Sequence, residues 1–301
     1  MTAAASDGRG PGGAAAYVPL AVLFSLLWAS AFLAVKVALR YSPPLFLMGS
    51  RFLLAAALLL GLALLQRRRF PAGPAAWARL AVLGLLNYAL YLGIAAVALR
   101  HLSGGMGAVL ASTIPLLLAA AGFLLLGERL NRPRLAGLAI AFASVVLVMY
   151  SRTSASDQPG AMLLILLANV FYAAGTILFK RWRPAEDAIV LNGVQFLAAG
   201  VAVLVPSLLT EPVTSVRPVL PFLLAMAYLL FAVSLGAMSI WFHLLRSGDA
   251  TRASSYFFLN PIFGLFLGAV LLAEPVHLLD IAGTIGVALG IYLVQRPLSP
   301  H

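Results

Sequence analysis

The stretch Ser254–Pro275 reads SSYFFLNPIFGLFLGAVLLAEP, an apolar run interrupted by Pro261 and followed thirteen residues later by Glu274. Ala108–Arg129 reads AVLASTIPLLLAAAGFLLLGER, and there Pro115 precedes Glu128 by the same interval. A shift of 146 residues superposes the two stretches and also brings Arg100 onto Arg246, Gly122 onto Gly268, Leu125 onto Leu271 and Gly137 onto Gly283. Earlier segments repeat at a shift of 144, where Trp28 falls on Tyr172, Lys36 on Lys180, Gly49 on Gly193, Phe52 on Phe196 and Ala55 on Ala199. Leu and Ala coincide by chance in such a chain. The matches of Lys, Arg, Glu, Pro and Gly therefore carry the inference of an internal duplication.

Composition sets the solvent. Of 301 residues 62% are hydrophobic and 10% charged, with a mean hydropathy of +1.02, far outside the balance of soluble domains. A helix needs roughly 20 apolar residues to cross a hydrocarbon core, so this length accommodates about ten spans. Apolar runs bounded by Pro, Gly or charge predict spans at 17–39, 43–65, 76–99, 104–126, 133–150, 158–180, 187–208, 218–246, 250–273 and 277–295. The expected fold is an all-α polytopic membrane protein of ten transmembrane helices. Its parts are a disordered tail at 1–16, a first five-helix repeat at 17–150, a linker at 151–157, a second repeat at 158–296 and a tail at 297–301. The first apolar run is read as a retained span, not a cleaved signal.

Five spans per half make the second half enter the membrane from the opposite side. Inverted repeats of this kind are a recurring architecture of secondary transporters, with substrate held near the midplane and each face opened in turn. Fourteen of the twenty Lys and Arg residues fall on the side of the N-terminus, from Arg9 through the Arg67–Arg69 run to Arg296, which predicts cytoplasmic termini. A net charge of +11 ordinarily raises nucleic acid as a partner; here the cations sit at span ends as membrane anchors, so lipids are the expected partner and nucleic acid is not. The absence of cysteine excludes disulfides and thiolate-ligated metal, and no metal or cofactor is expected.

Pro115 and Pro261 sit inside spans, behind Ser112 and Thr113 in one case and Asn260 in the other. Each frees a backbone carbonyl that must be satisfied, which fits a kinked helix beside a cavity. Helical spacing puts Ser25, Trp28 and Phe32 on one face of the first span and Asn169, Tyr172 and Thr176 on the matching face of the sixth. Asn87, Tyr88 and Tyr91 in the third span, Ser234, Met238 and Trp241 in the eighth, and Tyr256 and Asn260 in the ninth complete the expected substrate-binding set. Lys36, Arg100 and Glu274 at the outer mouth, and Lys180, Arg246 and Glu128 at the inner one, form mirror-related clusters expected to gate.

The repeated ten-span pattern, the Trp28-Ala29-Ser30-Ala31-Phe32 run and the glutamates after the fourth and ninth spans resemble the EamA group of the drug/metabolite transporter superfamily. The resemblance covers Tyr17 to Arg296 and is greatest to the aromatic amino acid exporters of the YddG type. It implies a basket of two inverted five-helix halves around a central cavity, exporting small metabolites. Glu274 is followed by Pro275 where the first half has Arg129, so the two ends of the repeat differ chemically.

None of the nine acidic residues lies mid-span. Proton- and sodium-coupled carriers commonly place ionisable groups inside the membrane, so facilitated diffusion or exchange of a neutral or zwitterionic solute, amino acids included, is the leading expectation. Only Lys36 and Arg51 approach the depth at which a phosphorylated substrate would need several cations. The competing classes are a channel, an intramembrane enzyme and a structural membrane protein. The histidines at 101, 243, 277 and 301 form no HExxH, and no nucleophile elbow, Walker loop or paired acid occurs, so no catalysis is expected.

Overall fold

Proline and glycine punctuate the chain, and the helices start and stop where they fall. A computed structural model describes residues 11–102, 104–150, 158–272 and 278–296. Helix α1 is Pro11–Ala38, α2 Pro44–Leu65, α3 Pro74–Ala98, and α4 has two pieces, Gly104–Ala111 and Ile114–Leu126. Then come α5 Arg132–Tyr150, α6 Pro159–Trp182, α7 Ala188–Thr210 and α8 Leu220–Ser247. Helix α9 runs as Ala250–Ser254, a 3-10 turn Ser255–Phe258 and Leu259–Leu272; α10 is Leu278–Gln295.

Proline at the first helical position starts α2, α3 and α6, where its missing N–H costs nothing. Asp187 caps α7 by accepting from the Ile189 N–H. Gly127, at φ 66°, ends α4 in the left-handed conformation that glycine adopts freely.

The protein is an integral membrane protein. Seven helices are long and apolar enough to cross a bilayer, and Ile114–Leu126 is a shorter apolar one. No strand occurs among the described residues. The outward leucines, Leu62, Leu124, Leu163 and Leu209 among them, are exposed as lipid-facing side chains are. Helix α1 begins at Pro11, inside the stretch expected to be a tail, with its span-forming part at Tyr17–Ala38. The expected linker 151–157, the tail 297–301 and Glu274 lie outside the described residues.

Packing follows small residues. Helix α2 packs along α7 and α5 along α10, while α1 lies on α8 and α9 and α6 on α3 and α4. A Cβ on Gly49 would stand 2.8 Å from the Leu204 backbone nitrogen, and one on Gly137 2.6 Å from the Gly290 carbonyl oxygen. Close approach of this kind is how helices associate where lipid removes the hydrophobic driving force.

Within α3 the segment Leu85–Gly93 is wound as a wide π turn, and within α8 so is Leu229–Ala237. These two segments lie 144 residues apart, the shift that relates Trp28 to Tyr172.

Candidate substrate site

Five helices each bring an aromatic ring to the centre of the bundle. Trp28 of α1 stacks on Tyr91 of α3 at 6.3 Å, and Tyr91 lies 4.5 Å from Tyr172 of α6. Tyr172 stacks on Trp241 of α8 at 5.9 Å. Phe257 of α9 presents its ring to Trp28, Tyr172 and Trp241 at 6.1, 5.8 and 5.3 Å. Trp28 and Tyr172 thus share two neighbours. Phe24, one turn before Trp28, stacks on both Trp28 and Trp241 at 5.6 and 5.2 Å. Phe24 and Phe257 were missing from the expected set, although a position one helical turn from Trp28 and one beside Tyr256 are where the spacing argument would have reached next.

Against this cluster lies a cavity of about 50 Å³, lined by Trp28, Phe32, Met48, Arg51, Tyr91 and Val233 among others. It is small: ligand pockets run about 300 to 1,000 Å³, and this volume admits only a few waters. Its lining belongs to the half of the bundle where α1 ends, termed here the far end.

The polar residues expected to line the cavity divide into two groups. Ser25 Oγ donates to the carbonyls of Ala21 and Tyr256 at 3.0 and 2.9 Å, and Asn169 Nδ2 donates to the Leu110 carbonyl and Thr113 Oγ1 at 2.8 and 3.0 Å. Both side chains bind the backbone next to the breaks before Pro261 and Pro115. Pro115 opens the second piece of α4, and Pro261 sits in the last piece of α9, so each proline marks a broken helix more than a bent one. Asn87 donates to Gln195 Oε1 at 3.4 Å and Tyr88 to Asn192 Oδ1 at 3.1 Å, both on α7. The π turn divides the expected trio: Tyr91 joins the ring cluster, while Tyr88 stacks on Phe196 at 4.2 Å.

The second group is buried without a bond. Tyr172 Oη, Thr176 Oγ1, Asn169 Oδ1, Asn87 Oδ1 and both side-chain polar atoms of Asn260 have no hydrogen-bond partner among the described residues. Buried polar atoms are bonded in the great majority of cases. Met238 packs in the same core, and Tyr256 lies 6.3 Å edge-on to Tyr17.

Arg51 was read from the sequence only as a cation inside a span. It is 2% exposed. Its Nε donates to Ser234 Oγ at 2.8 Å, and its guanidinium lies 5.7 Å from the Phe52 ring. Neither of the ion pairs seen among the described residues, Arg68–Asp187 and Arg134–Asp249, involves it. A cation at this depth faces protein or a cavity because lipid excludes it, and that rule was the signal available.

Polar contacts cluster at the near end, where α1 begins. Glu128 accepts from the Ala250 and Thr251 N–H groups and from Thr251 Oγ1 at 2.7, 3.2 and 2.7 Å, capping the start of α9. Lys180 Nζ donates to the Leu245 carbonyl at 3.0 Å and to that of Gly248. Arg246 donates to the Pro184 and Glu186 carbonyls at 3.3 and 2.9 Å. Arg252 lies over the Tyr17 ring at 4.6 Å. The chain thus brings Glu128, Lys180 and Arg246 together at one end, but each holds backbone groups instead of the others. Lys36 and Arg100 lie at the far end, where Glu211 accepts from the Leu45 and Phe46 N–H groups at 3.0 and 2.8 Å and caps α2.

Residues 15–150 and 159–296 each match the EamA-like transporter family. The chain belongs to that family. It is therefore a membrane transporter. Similar proteins include the uncharacterized transporter YvbV of Bacillus subtilis, 28% identical over 271 residues that cover 90% of this chain and 88% of YvbV. The uncharacterized inner membrane transporter YedA of Escherichia coli K12 is 29% identical, covering 86% of this chain and 84% of YedA. Protein PecM of Dickeya dadantii is 30% identical, covering 83% and 85%. A solved crystal structure aligns with 93% of this chain and 96% of its own at a TM-score of 0.76 and 20% identity, a likeness of fold.

Proposed function

We propose that this EamA-like protein exports small neutral or zwitterionic metabolites, aromatic amino acids among them, by alternating access between two inverted five-helix halves. The observation that carries the reading is the ring cluster at the centre, built from both halves: Trp28 and Tyr91 from one, Tyr172, Trp241 and Phe257 from the other. A duplicated origin is supported by the double match to one family, by the two π turns 144 residues apart and by the pairing of α2 with α7 and α5 with α10.

Alternating access then follows from asymmetry. At the near end Glu128 ties the first half to the start of α9 in the second, while the cavity lies toward the far end, which supports a reading in which the near mouth is the shut one. Two halves with equivalent packings can exchange conformations, which closes one mouth as it opens the other. The excess of Lys and Arg supports placing the near end in the cytoplasm of a bacterial-type inner or plasma membrane. On this reading the cavity of about 50 Å³ must widen to admit cargo.

The test is uptake into proteoliposomes. Phenylalanine or tryptophan should enter without an imposed proton gradient and should exchange against internal unlabelled solute. Uptake that requires a pH gradient and disappears with an uncoupler would overturn the uncoupled mechanism, and uptake of no small metabolite would overturn the assignment as an exporter of this class. Ohmic single-channel current carried by the purified protein would favour a channel.

A further inference from the structure

A guanidinium carries five N–H donors and cannot shed its charge inside a protein. Arg51 stands seven residues after Pro44 in α2, about 10 Å into the bundle at 1.5 Å per residue. Ser234 Oγ takes one donor, and the Met48 sulfur, at 3.9 Å, takes another weakly. Leaving a buried cation without an anion is costly, because the interior solvates it far less well than water does.

Two further observations aim this charge at cargo. Arg51 lines the same cavity as Trp28, Phe32 and Tyr91, so the cation and these aromatic residues border one space. The position 144 residues later is Gln195, a neutral amide 0% exposed whose Nε2 donates to the Leu191 carbonyl at 3.3 Å and whose Oε1 accepts from Asn87 at 3.4 Å. One half ties its polar side chain into the fold; the other places a cation at the cavity.

We propose that Arg51 binds the carboxylate of the transported substrate, which narrows the cargo proposed above to solutes with a carboxylate and an apolar or aromatic group and extends it from zwitterions to simple monocarboxylates. The proposal rests on the transport reading above. Arg forks onto a carboxylate with two parallel hydrogen bonds, which fixes the acid end and leaves the apolar end against Trp28 and Tyr91. The cation at this cavity selects for the acid group; an amino group on the cargo is then optional.

The experiment compares phenyl solutes that differ at their polar end with one aliphatic acid. Proteoliposome uptake and thermal stabilisation of the detergent-purified protein are measured with phenylalanine, 3-phenylpropionate, phenylalaninamide, phenethylamine and the aliphatic acid isovalerate. The acids should bind on the order of ten to a hundred times more tightly than the amide and the amine, the range for a lost charge-assisted hydrogen bond. In Arg51→Gln that ratio should collapse toward one, and in Arg51→Lys it should survive in part. Equal affinity for acid and amide in the parent overturns the role of Arg51 and leaves the transport reading intact, as does uptake confined to neutral or cationic solutes. Uptake of no solute overturns both. Stabilisation by sodium chloride alone, equal to that by the acids, assigns the cation to an inorganic ion and overturns the proposal. Should Arg51→Gln fail to fold, the parent's ranking of the five solutes and the Arg51→Lys variant decide.

Discussion

Asn169 donates a hydrogen bond of 2.8 Å to the carbonyl of Leu110, across from α6 to the broken helix α4. Ser25, at the position 144 residues earlier, donates one of 2.9 Å to the carbonyl of Tyr256, 146 residues beyond Leu110. The same bond is made twice, at the two places where proline interrupts a helix.

Asn169→Ala should therefore lower stability more than it alters transport. Thr113 Oγ1 still donates to Leu110 at 2.7 Å, so the loss should be moderate, about 0.6 to 1.7 kcal/mol, the range for hydrogen bonds between membrane helices. Thermal unfolding in detergent measures it. A change in apparent substrate affinity larger than that of Trp28→Ala would show that Asn169 meets cargo directly.

Trp28→Ala and Tyr172→Ala should each weaken binding several-fold, from the loss of about 0.5 to 1.5 kcal/mol of aromatic contact beyond buried area. Both rings touch Tyr91 and Phe257, so their effects should not add. Titrating both single variants and the double variant with substrate tests this; strictly additive losses would mean that the rings act separately.

Glycine substitutions should separate sharply by position. A Cβ at Gly49 meets the Leu204 backbone at 2.8 to 2.9 Å, so Gly49→Ala must push α2 off α7, whereas Gly61 in the same helix has nothing within 4 Å. Gly61→Ala should be neutral or stabilising by up to about 1 kcal/mol through helix propensity. A melting temperature that falls equally for both would refute the close crossing.

Glu128→Gln should loosen the near end. The carboxylate caps α9 through two backbone N–H groups and Thr251, and a charged cap at a helix start contributes roughly 0.3 to 2 kcal/mol. A single Ser247→Cys reporter, in a sequence without cysteine, should then react faster with a membrane-impermeant maleimide from the near side. Unchanged labelling would leave Glu128 with a purely structural cap.

The sequence made the bundle legible because lipid imposes one rule over long runs: about 20 apolar residues, ended by Pro, Gly or Arg. The periodicity also pointed to Trp28, Tyr91, Tyr172 and Trp241, whose rings meet in the structure, since one face of a regular helix can be counted. Counting failed where the backbone departs from 3.6 residues per turn. The π turn carried Asn87 and Tyr88 toward α7, and the 3-10 turn at Ser255–Phe258 brought Phe257 inward. Glu128 was read as a gating charge, but the N–H groups of α9 that it binds are absent from any side-chain pattern. Arg51 was visible as a residue, but that neither ion pair seen among the described residues involves it is a property of three-dimensional neighbours.

A π turn amounts to an α-helix that has accepted one extra residue. Here Leu85–Gly93 and Leu229–Ala237 hold that surplus at one offset, 144 residues apart. Under the duplication proposed above, two separate insertions would have had to strike the same point of two helices. On that reading the shared surplus belongs to the single ancestral half, and the widened helix precedes the doubling.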